Sequence, residues 1–285
     1  MRAHTLHLAL ALAMLTGCAD AFEAADAAVS AEAPVAVMTA ETAAEPPLTA
    51  WQDWLGAALA QAERDQPATV ADLRAATPVA TRAGHPRFTS AALDQPVAAV
   101  VLLDRLSRGT DPAPVRAALA EALPRTGGAY ASALVGLAAH ETDAEVRVAI
   151  ISALRRAATE PALAGLRAGL ADTDARVRAA AAEVASRRPD GATLGDLLIA
   201  RLDDDAAEVQ VAVARSLGAL RVADAFPALQ AHLSQGTAEL RLHSLRALGR
   251  IDAARASSLP ELAALRRDPD ARVAEAAARL TARQP

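Results

Sequence analysis

Apolar residues recur along this chain at two spacings. Within short segments they occupy an anchor position and the positions three, seven and eight residues later, which lie on one face of an α-helix. The anchors themselves return every 31 to 33 residues, at Val115, Val146, Val177, Val209, Leu240 and Val273. Self-similarity at such a period predicts stacked helical units that share a continuous core, and therefore an elongated solenoid.

Each unit contains two predicted helices. The second helix carries the anchor and is preceded by residues that favour a helix N-terminus. These residues are Asp111 with Pro112, Asp143, Asp174, Asp205, Thr237 and Asp268 to Asp270. The first helix is a leucine-rich run between anchors, and three of these runs begin at Pro161, Pro227 and Pro260. The pattern predicts six such pairs within residues 90–285.

The segment from Asp143 to Leu154 reads DAEVRVAIISAL, and related phrases begin at Asp174 and Asp270. These phrases resemble HEAT repeats of the short variety also found in phycobilin lyases. The resemblance covers about two thirds of the chain and implies an all-α fold, a right-handed α-solenoid of about six HEAT-like helix pairs. The fold hosts scaffolds, adaptors and a few enzymes, so it does not assign a function by itself.

The N-terminus has the features of an export signal. Arg2 precedes an apolar run from Leu6 to Leu15, which is too short to span a bilayer. The ending Leu-Thr-Gly-Cys18 resembles the lipobox of bacterial lipoproteins, in which the cysteine becomes the first mature residue and carries a diacylglyceryl group. We therefore expect a signal peptide at residues 1–17 and lipidation of Cys18; the alternative is an ordinary signal peptide with an incidental cysteine.

Residues 18–50 are predicted to be a disordered tether, because they are rich in Ala, Glu and Pro and hold six acidic residues and no basic one. Ala19 follows the cysteine where an inner-membrane retention signal would have Asp. We therefore expect a lipid-anchored protein of the bacterial cell envelope that faces the periplasm, with the outer membrane favoured over the inner membrane.

The charge balance argues against nucleic acid as a partner. Six of the 34 acidic residues and one of the 29 basic residues precede residue 51, which leaves 28 of each in the predicted folded part. A phosphate backbone requires a basic excess.

Residues 51–89, with Trp51 and Trp54, are predicted to form a helical cap on the first repeat, since solenoid ends need covering; a partner-docking tryptophan pair is the alternative.

Candidate chemistry is sparse. Deoxyhypusine hydroxylases resemble this chain in repeat type and hold iron with His-Glu pairs in several anchor helices, whereas the one pair here, His140-Glu141, precedes an anchor helix. Phycobilin lyases act in the cytoplasm. A zinc site at His232 and His243 stays open, as does calcium at Asp203 to Asp205, where a capping turn is the simpler interpretation. The sequence predicts no catalytic residue and no cofactor.

Two positions of the anchor helix are predicted to face away from the core. The position two residues after the anchor holds Val148, Val211 and Leu242, which would form an apolar strip on the concave face. The position six residues after it changes from Glu121 and Glu183 to basic residues, namely Arg215, Arg246 and Arg279. Such a strip with a charge gradient is typical of a partner surface; burial of the strip by neighbouring repeats is the alternative.

Other repeat positions carry polar residues. Arg116, Arg147, Arg178 and Arg241 follow their anchors and are predicted to pair with first-turn Asp residues of adjacent repeats. His243 replaces the Ala of the other five repeats, either as a packed residue with a hydrogen-bonded neighbour or as a pH-sensitive or ligand-facing group.

Together these features favour a membrane-tethered scaffold that binds another cell-envelope protein. An enzyme on the same fold, lyase-like or metal-dependent, and a protein that binds a small ligand or peptidoglycan remain the alternatives.

Overall fold

The computed structural model describes residues 50–80, 86–89, 91–95, 97–126, 129–157 and 159–282. The predicted signal peptide, Cys18 and the tether up to residue 49 lie outside these residues. The described segments contain the following α-helices: α1 Trp51–Asp65, α2 Pro67–Ala75, α3 Val97–Arg108, α4 Ala113–Ala122, α5 Ala131–Ala138, α6 Ala144–Ala153, α7 Thr159–Leu170, α8 Ala175–Ala185, α9 Gly195–Ala200, α10 Ala207–Leu220, α11 Phe226–Gln235, α12 Ala238–Ile251, α13 Ala253–Ser257, α14 Leu262–Leu265 and α15 Ala271–Thr281.

The six anchor residues lie in α4, α6, α8, α10, α12 and α15, so the predicted all-α solenoid is confirmed. Each of these anchor helices packs against the next one along the chain. Five anchors are buried and Val115, in the first pair, is half-buried. The continuous core therefore arises from the period itself, because each unit covers the apolar face of its neighbour.

The first helices of the pairs are less regular than the anchor helices. In the fourth pair α9 is short and is flanked by 3-10 turns at Gly191–Leu194 and Arg201–Asp203. In the sixth pair the first helix is divided into α13 and α14, with Pro260 between them. Proline lacks a backbone N–H and disfavours helical geometry in the residue before it, which explains the division.

Most of the predicted N-caps are confirmed. The side chains of Asp143, Asp174, Thr237 and Asp270 accept hydrogen bonds from the backbone N–H groups of the first turns of their helices. The prediction for Asp205 is wrong, because the N-cap of α10 is Ala206. The preceding residue, Asp204, accepts the Ala206 N–H at 3.0 Å instead.

The first anchor helix also departs from the prediction. The N-cap of α4 is Pro112, which has no side-chain hydrogen bond. Asp111 instead accepts hydrogen bonds from Arg105, at 3.3 Å from Nε and 3.1 Å from Nη2. The acidic residue therefore ties α3 to the turn before α4.

An arginine–carboxylate ladder joins successive repeats. In each rung, Nε and Nη2 of an arginine donate to both oxygens of one carboxylate at 2.7–2.9 Å. The rungs are Arg116 with Glu141, Arg147 with Asp172, Arg178 with Asp204, and Arg241 with Asp268. The prediction was right that the partner lies in the adjacent repeat. It was wrong about the place, because each carboxylate precedes the N-cap by two residues and does not lie in the first turn.

The ladder is interrupted between the fourth and fifth repeats. Gln210 occupies the arginine position and Gln235 the carboxylate position, so both members of this rung are neutral. Gln210 keeps one contact of its charged counterparts, since its amide donates to the Asp204 carbonyl at 2.7 Å, as Arg178 does to the Asp172 carbonyl at 2.9 Å. The α10–α12 junction thus lacks the charged clamp that the other junctions share.

Restoring this rung should stabilise the protein. We expect the double variant Gln210→Arg with Gln235→Asp to raise the free energy of unfolding by about 1 kcal/mol, the contribution of one bidentate ion pair that is partly shielded from water. Each single variant should be neutral or destabilising, because it adds one charge without a partner. A double-mutant cycle from urea denaturation measures the coupling, and a coupling energy of zero would contradict the proposed equivalence of this rung with the others.

Helix α1 covers the beginning of the solenoid. It packs against α3 and α5, and Trp51 is only 9% exposed. A Cβ atom added at Gly136 in α5 would lie 2.1 Å from Nε1 of Trp51, so the glycine leaves room for the indole ring. The sequence did not predict the two-residue strands β1 Val79–Ala80 and β2 Pro86–Arg87, which pair antiparallel. No helix in the described part of the chain is both long and apolar enough to cross a membrane.

Candidate functional site

A groove of about 340 Å³ lies over three consecutive anchor helices, α8, α10 and α12. Its charged side chains are Glu183, Arg187, Arg215, Arg246 and Arg250, and His243 also lines it. The remaining lining residues are small, namely Ser186, Ala212, Ser216, Ala219 and Ala247. The groove therefore has a floor of short side chains and a rim with four arginines and one glutamate.

The floor is low because α10 and α12 approach each other closely. A Cβ atom added at Gly218 would lie 2.6 Å from Cα and 2.7 Å from Cβ of Ala247. Any side chain at position 218 of α10 would therefore collide with the α12 backbone, and only glycine permits the close approach. Ser216 is buried, and its hydroxyl oxygen lies 2.8 and 2.7 Å from the Ala212 and Ala182 carbonyl oxygens, which share its single proton; the contact with Ala182 ties α10 to α8.

The arginines of the rim differ in their partners. Glu183 lies 3.4 Å from Arg187 and 3.7 Å from Arg215, measured between side-chain oxygen and nitrogen. Arg246 and Arg250 are exposed, and neither forms an ion pair with any residue in the described ranges. By contrast, every ladder arginine has its own carboxylate. The positive charge of the groove is therefore concentrated toward α12.

His243 lies between this rim and the neighbouring anchor helix α15. Its Nε2 is 3.3 Å from Oε1 of Glu239, whose other oxygen is 2.9 Å from Arg272 of α15. Burial lowers the pKa of His243, and the charges of Arg246 and Arg215 lower it further, against the opposing hydrogen bond with Glu239. This lowering of the pKa favours the neutral form of His243, which lines the groove as a polar side chain.

The structure brings only part of the predicted partner surface together. Arg215, Arg246 and His243 line one groove, whereas Arg279 of α15 does not line it and lies 2.6 Å from Glu275. The prediction that position two faces outward is wrong for Leu242, which is 2% exposed. Val148 and Val211 are half-buried and pack against the core. Each inner anchor helix has an anchor helix on both sides, so more of its circumference is covered than one apolar face predicts.

Two groove arginines were missed by the sequence analysis. Arg250 follows Arg246 by four residues within α12, which places it one turn farther along the same face, and Arg187 follows Glu183 by four residues in the turn just beyond the end of α8. Extending the position-six pattern by one turn would have found both. The small residue at the equivalent position of α10, Ala219, completes the array.

A family model for HEAT repeats matches residues 99–186 and 195–282, which is more than half of the chain. The chain belongs to the HEAT-repeat family. The first HEAT block covers most of α3 and continues through α8, and the second runs from α9 through α15. A comparison with curated proteins finds no match to this chain.

The segment between the two HEAT blocks contains a buried arginine. Arg188 is 5% exposed, pairs with Asp190 at 2.7 Å, and donates to the carbonyls of Leu154 and Ala157 at 2.6 and 3.1 Å. These bonds fasten this segment to the turn between α6 and α7, at the end of the second helix pair. The groove therefore extends from the first HEAT block to the second, and Arg187 comes from the segment between them. The hydrogen bonds of Arg188 hold that segment in place.

Other polar residues singled out in the sequence have structural partners. Asp203 lies 3.4 Å from Nε2 of His232, and Asp204 belongs to the ladder. Glu141 of the His-Glu pair is the ladder partner of Arg116. Within the described ranges, no group of three His, Cys, Asp or Glu side chains is placed to hold a metal ion.

Proposed function

We propose that this protein is a non-catalytic scaffold that binds another protein through the groove over α8, α10 and α12. HEAT repeats form helical scaffolds for protein interaction, which gives the general role. The observation that carries the specific proposal is the pair of exposed arginines Arg246 and Arg250, which form no ion pair with a described residue and lie beside a floor of small residues. Arginine is enriched in protein interfaces and small residues allow a partner backbone to approach.

The proposal includes attachment to a membrane. Its support is the sequence alone: the lipobox-like ending at Cys18 and the acidic, proline-containing segment that follows it. A lipid anchor with a tether would hold the HEAT solenoid at the surface of a bacterial envelope membrane, facing the periplasm, where it meets envelope proteins. Two or more acyl chains give stable anchoring, because each buried CH₂ contributes about 0.8 kcal/mol.

A small anionic ligand is the second candidate. The groove volume of about 340 Å³ falls within the range of small-molecule sites. Peptidoglycan fragments and other carboxylate-bearing molecules belong to this class. A catalytic role has less support, because the groove has one acidic side chain, Glu183, and that carboxylate is engaged by two arginines.

Charge reversal should separate these roles in living cells. We expect crosslinking followed by affinity purification and mass spectrometry to recover one or two envelope proteins with the wild type. The variant Arg246→Glu with Arg250→Glu should lose them, because two exposed positive charges of the groove become negative. Arg279→Glu is the matched control, since Arg279 does not line the groove, and it should retain them. Cys18→Ala should also lose them if the lipid anchor brings the two proteins together.

Recovery of the same proteins by the groove variant and the wild type would contradict the proposal. Circular dichroism melting should show that the groove variant remains folded, because both substituted side chains are exposed and are without ion pairs in the part of the chain that the structure describes. Loss of binding in the Arg279→Glu control as well would mean that net charge, and not the groove, determines capture.

A further inference from the structure

The acidic surplus of this chain lies outside its HEAT repeats. The tether, residues 18–50, holds six acidic residues and no basic one, whereas acidic and basic residues are equal in number in residues 51–285. The tether therefore carries negative charges that no basic residue of its own sequence balances.

The groove over α8, α10 and α12 has the opposite imbalance. Four arginines and one glutamate line it, and the single carboxylate of Glu183 is shared by Arg187 and Arg215. Arg246 and Arg250 lie one turn apart on α12, a spacing at which like charges repel each other and destabilise a helix. No carboxylate in the described ranges forms an ion pair with either of them. An acidic segment bound here would relieve this repulsion.

The shape of the groove also suits the tether. Ala219 is exposed on the floor between the arginines, and the neighbouring lining residues Ser186 and Ala247 are small as well. Alanine is the commonest residue of the tether, and Phe22 is its one aromatic residue. A backbone with such short side chains can lie on this floor while its carboxylates contact the guanidinium groups at the rim through charge-assisted hydrogen bonds.

The tether is long enough to reach the groove. It joins the solenoid at α1, which packs against α5 in the second helix pair. The fourth pair, which contains α10, is two repeats farther along, or about 20 Å at the usual spacing of packed helices. A fully extended segment of this length spans on the order of 100 Å, and a coil of the same length spans about 30 Å. The acidic residues can therefore reach the groove even around the flank of the solenoid.

We propose that the acidic tether of this same chain occupies the groove, with its carboxylates against Arg246 and Arg250, and is displaced when a partner protein binds. Occupancy by the tether stands on charge, shape and reach, whereas its displacement rests on the proposed scaffold function. Because the tether is joined to the solenoid, its local concentration at the groove is on the order of 1 mM. A partner must therefore bind the groove more strongly than the tether does, which excludes proteins with weaker acidic segments.

A peptide added in trans measures whether the groove is already occupied. A labelled peptide with the sequence of residues 19–49 is titrated with purified full-length protein, and binding is followed by fluorescence anisotropy. Wild type is compared with a neutral-tether variant, which leaves Asp20 beside the predicted lipidation site unchanged. The substitutions of this variant are Glu23→Gln, Asp26→Asn, Glu32→Gln, Glu41→Gln and Glu45→Gln.

We expect the neutral-tether variant to bind the peptide roughly tenfold more tightly than wild type. In wild type, a tether at a local concentration on the order of 1 mM competes with a peptide whose dissociation constant is about 100 µM. The difference should narrow as salt is raised to about 300 mM, because the arginines are exposed and their charges are screened.

Arginine variants in the neutral-tether background locate the contact. Arg246→Gln with Arg250→Gln should weaken peptide binding roughly tenfold, since two charge-assisted contacts are lost. The matched control is Arg266→Gln with Arg267→Gln, which removes two exposed arginines of the turn between α14 and α15 that do not line the groove. This control should leave the affinity unchanged.

Several results would overturn the inference. They are equal affinity of wild type and the neutral-tether variant for the peptide, no binding to either protein, and an equal loss of affinity in the matched control. Sedimentation of wild type as a dimer and of the neutral-tether variant as a monomer would overturn it as well, because the tether would then occupy the groove of a second copy.

The peptide assay and the cellular crosslinking experiment can fail separately. If the tether is displaced by a partner, the neutral-tether variant should recover more of the envelope proteins than wild type does. Peptide binding as expected without any recovered partner would preserve the contact within the chain and reject the scaffold function. Recovery that depends on Arg246 and Arg250 but is equal for wild type and the neutral-tether variant would preserve the scaffold function and reject the displacement.

Discussion

Replacing Asp204 with alanine should lower the free energy of unfolding by about 2–3 kcal/mol, one of the largest effects expected for a single residue of this protein. The Asp204 side chain is 1% exposed and accepts two hydrogen bonds from Arg178, at 2.8 and 2.7 Å. It also accepts the Ala206 N–H that begins α10. Its loss leaves the Arg178 guanidinium without its carboxylate and the Ala206 N–H, at the start of α10, without its acceptor.

Asp203→Ala is the matched control for this variant. Its side chain is 85% exposed and lies 3.4 Å from Nε2 of His232, so we expect a change of less than about 0.5 kcal/mol. Urea denaturation followed by circular dichroism measures both variants. Similar stabilities for the two variants would contradict a structural role for the ladder. A double-mutant cycle with Arg178→Ala would then show whether the two side chains are coupled at all.

Acid sensitivity provides a second measurement on the same rung. The hydrogen bond from Arg178 lowers the pKa of Asp204 below its ordinary value of 3.8, and burial opposes this effect. At pH values near and below 4, the Asp204 carboxyl therefore binds fewer protons in the folded protein than in the unfolded chain. The stability that this carboxylate contributes is present above about pH 4 and is lost as the pH falls through the folded-state pKa. We expect wild type to lose more stability than Asp204→Ala on acidification below pH 4.

The repeat period made the fold predictable, because six anchors in register specify both a helix face and a stacking order. The ladder was harder to place. The sequence shows Arg178 and an aspartate 26 residues later, but only the turn geometry decides which aspartate of the run 203–205 meets the guanidinium. Gln210 and Gln235 can be recognised as a neutral rung of the ladder only after the positions of the charged rungs are known.

The sequence predicted only part of the groove, because some of its features depend on contacts between repeats. The sequence predicted that Arg215 and Arg246 share one face of the solenoid, because they occupy the same position of two repeats, and that position alone fixes their direction on each helix. The burial of Leu242 depends on the two neighbouring anchor helices, which cover flanks that a single helical wheel shows as exposed. Arg279 shares the position of Arg246 in the repeat, yet it does not line the groove. Position within the repeat therefore predicts orientation, and position within the array decides whether a groove is present.

Replacing Gly218 with alanine should be strongly destabilising for such a small change. The added Cβ would meet the Cα and Cβ atoms of Ala247 at 2.6 and 2.7 Å, and backbone atoms of a packed helix cannot move aside as a flexible side chain can. We expect a loss of about 1–3 kcal/mol, typical of overpacking in a well-packed contact. Gly56→Ala should instead stabilise the protein by about 0.5–1 kcal/mol, because Gly56 is helical and a Cβ atom added there would have no other atom within 4 Å.

The same substitution should also change binding, which links the helix contact to the groove. If α12 moves away from α10 to accommodate the new methyl group, the distance between Arg215 and Arg246 increases and the shape of the groove changes. Gly218→Ala should therefore reduce the recovery of crosslinked envelope proteins at temperatures where the protein is still folded, whereas Gly56→Ala should not. Unchanged stability and unchanged recovery of these proteins in Gly218→Ala would mean that α10 and α12 do not approach closely in solution, and that their spacing does not set the specificity of the groove.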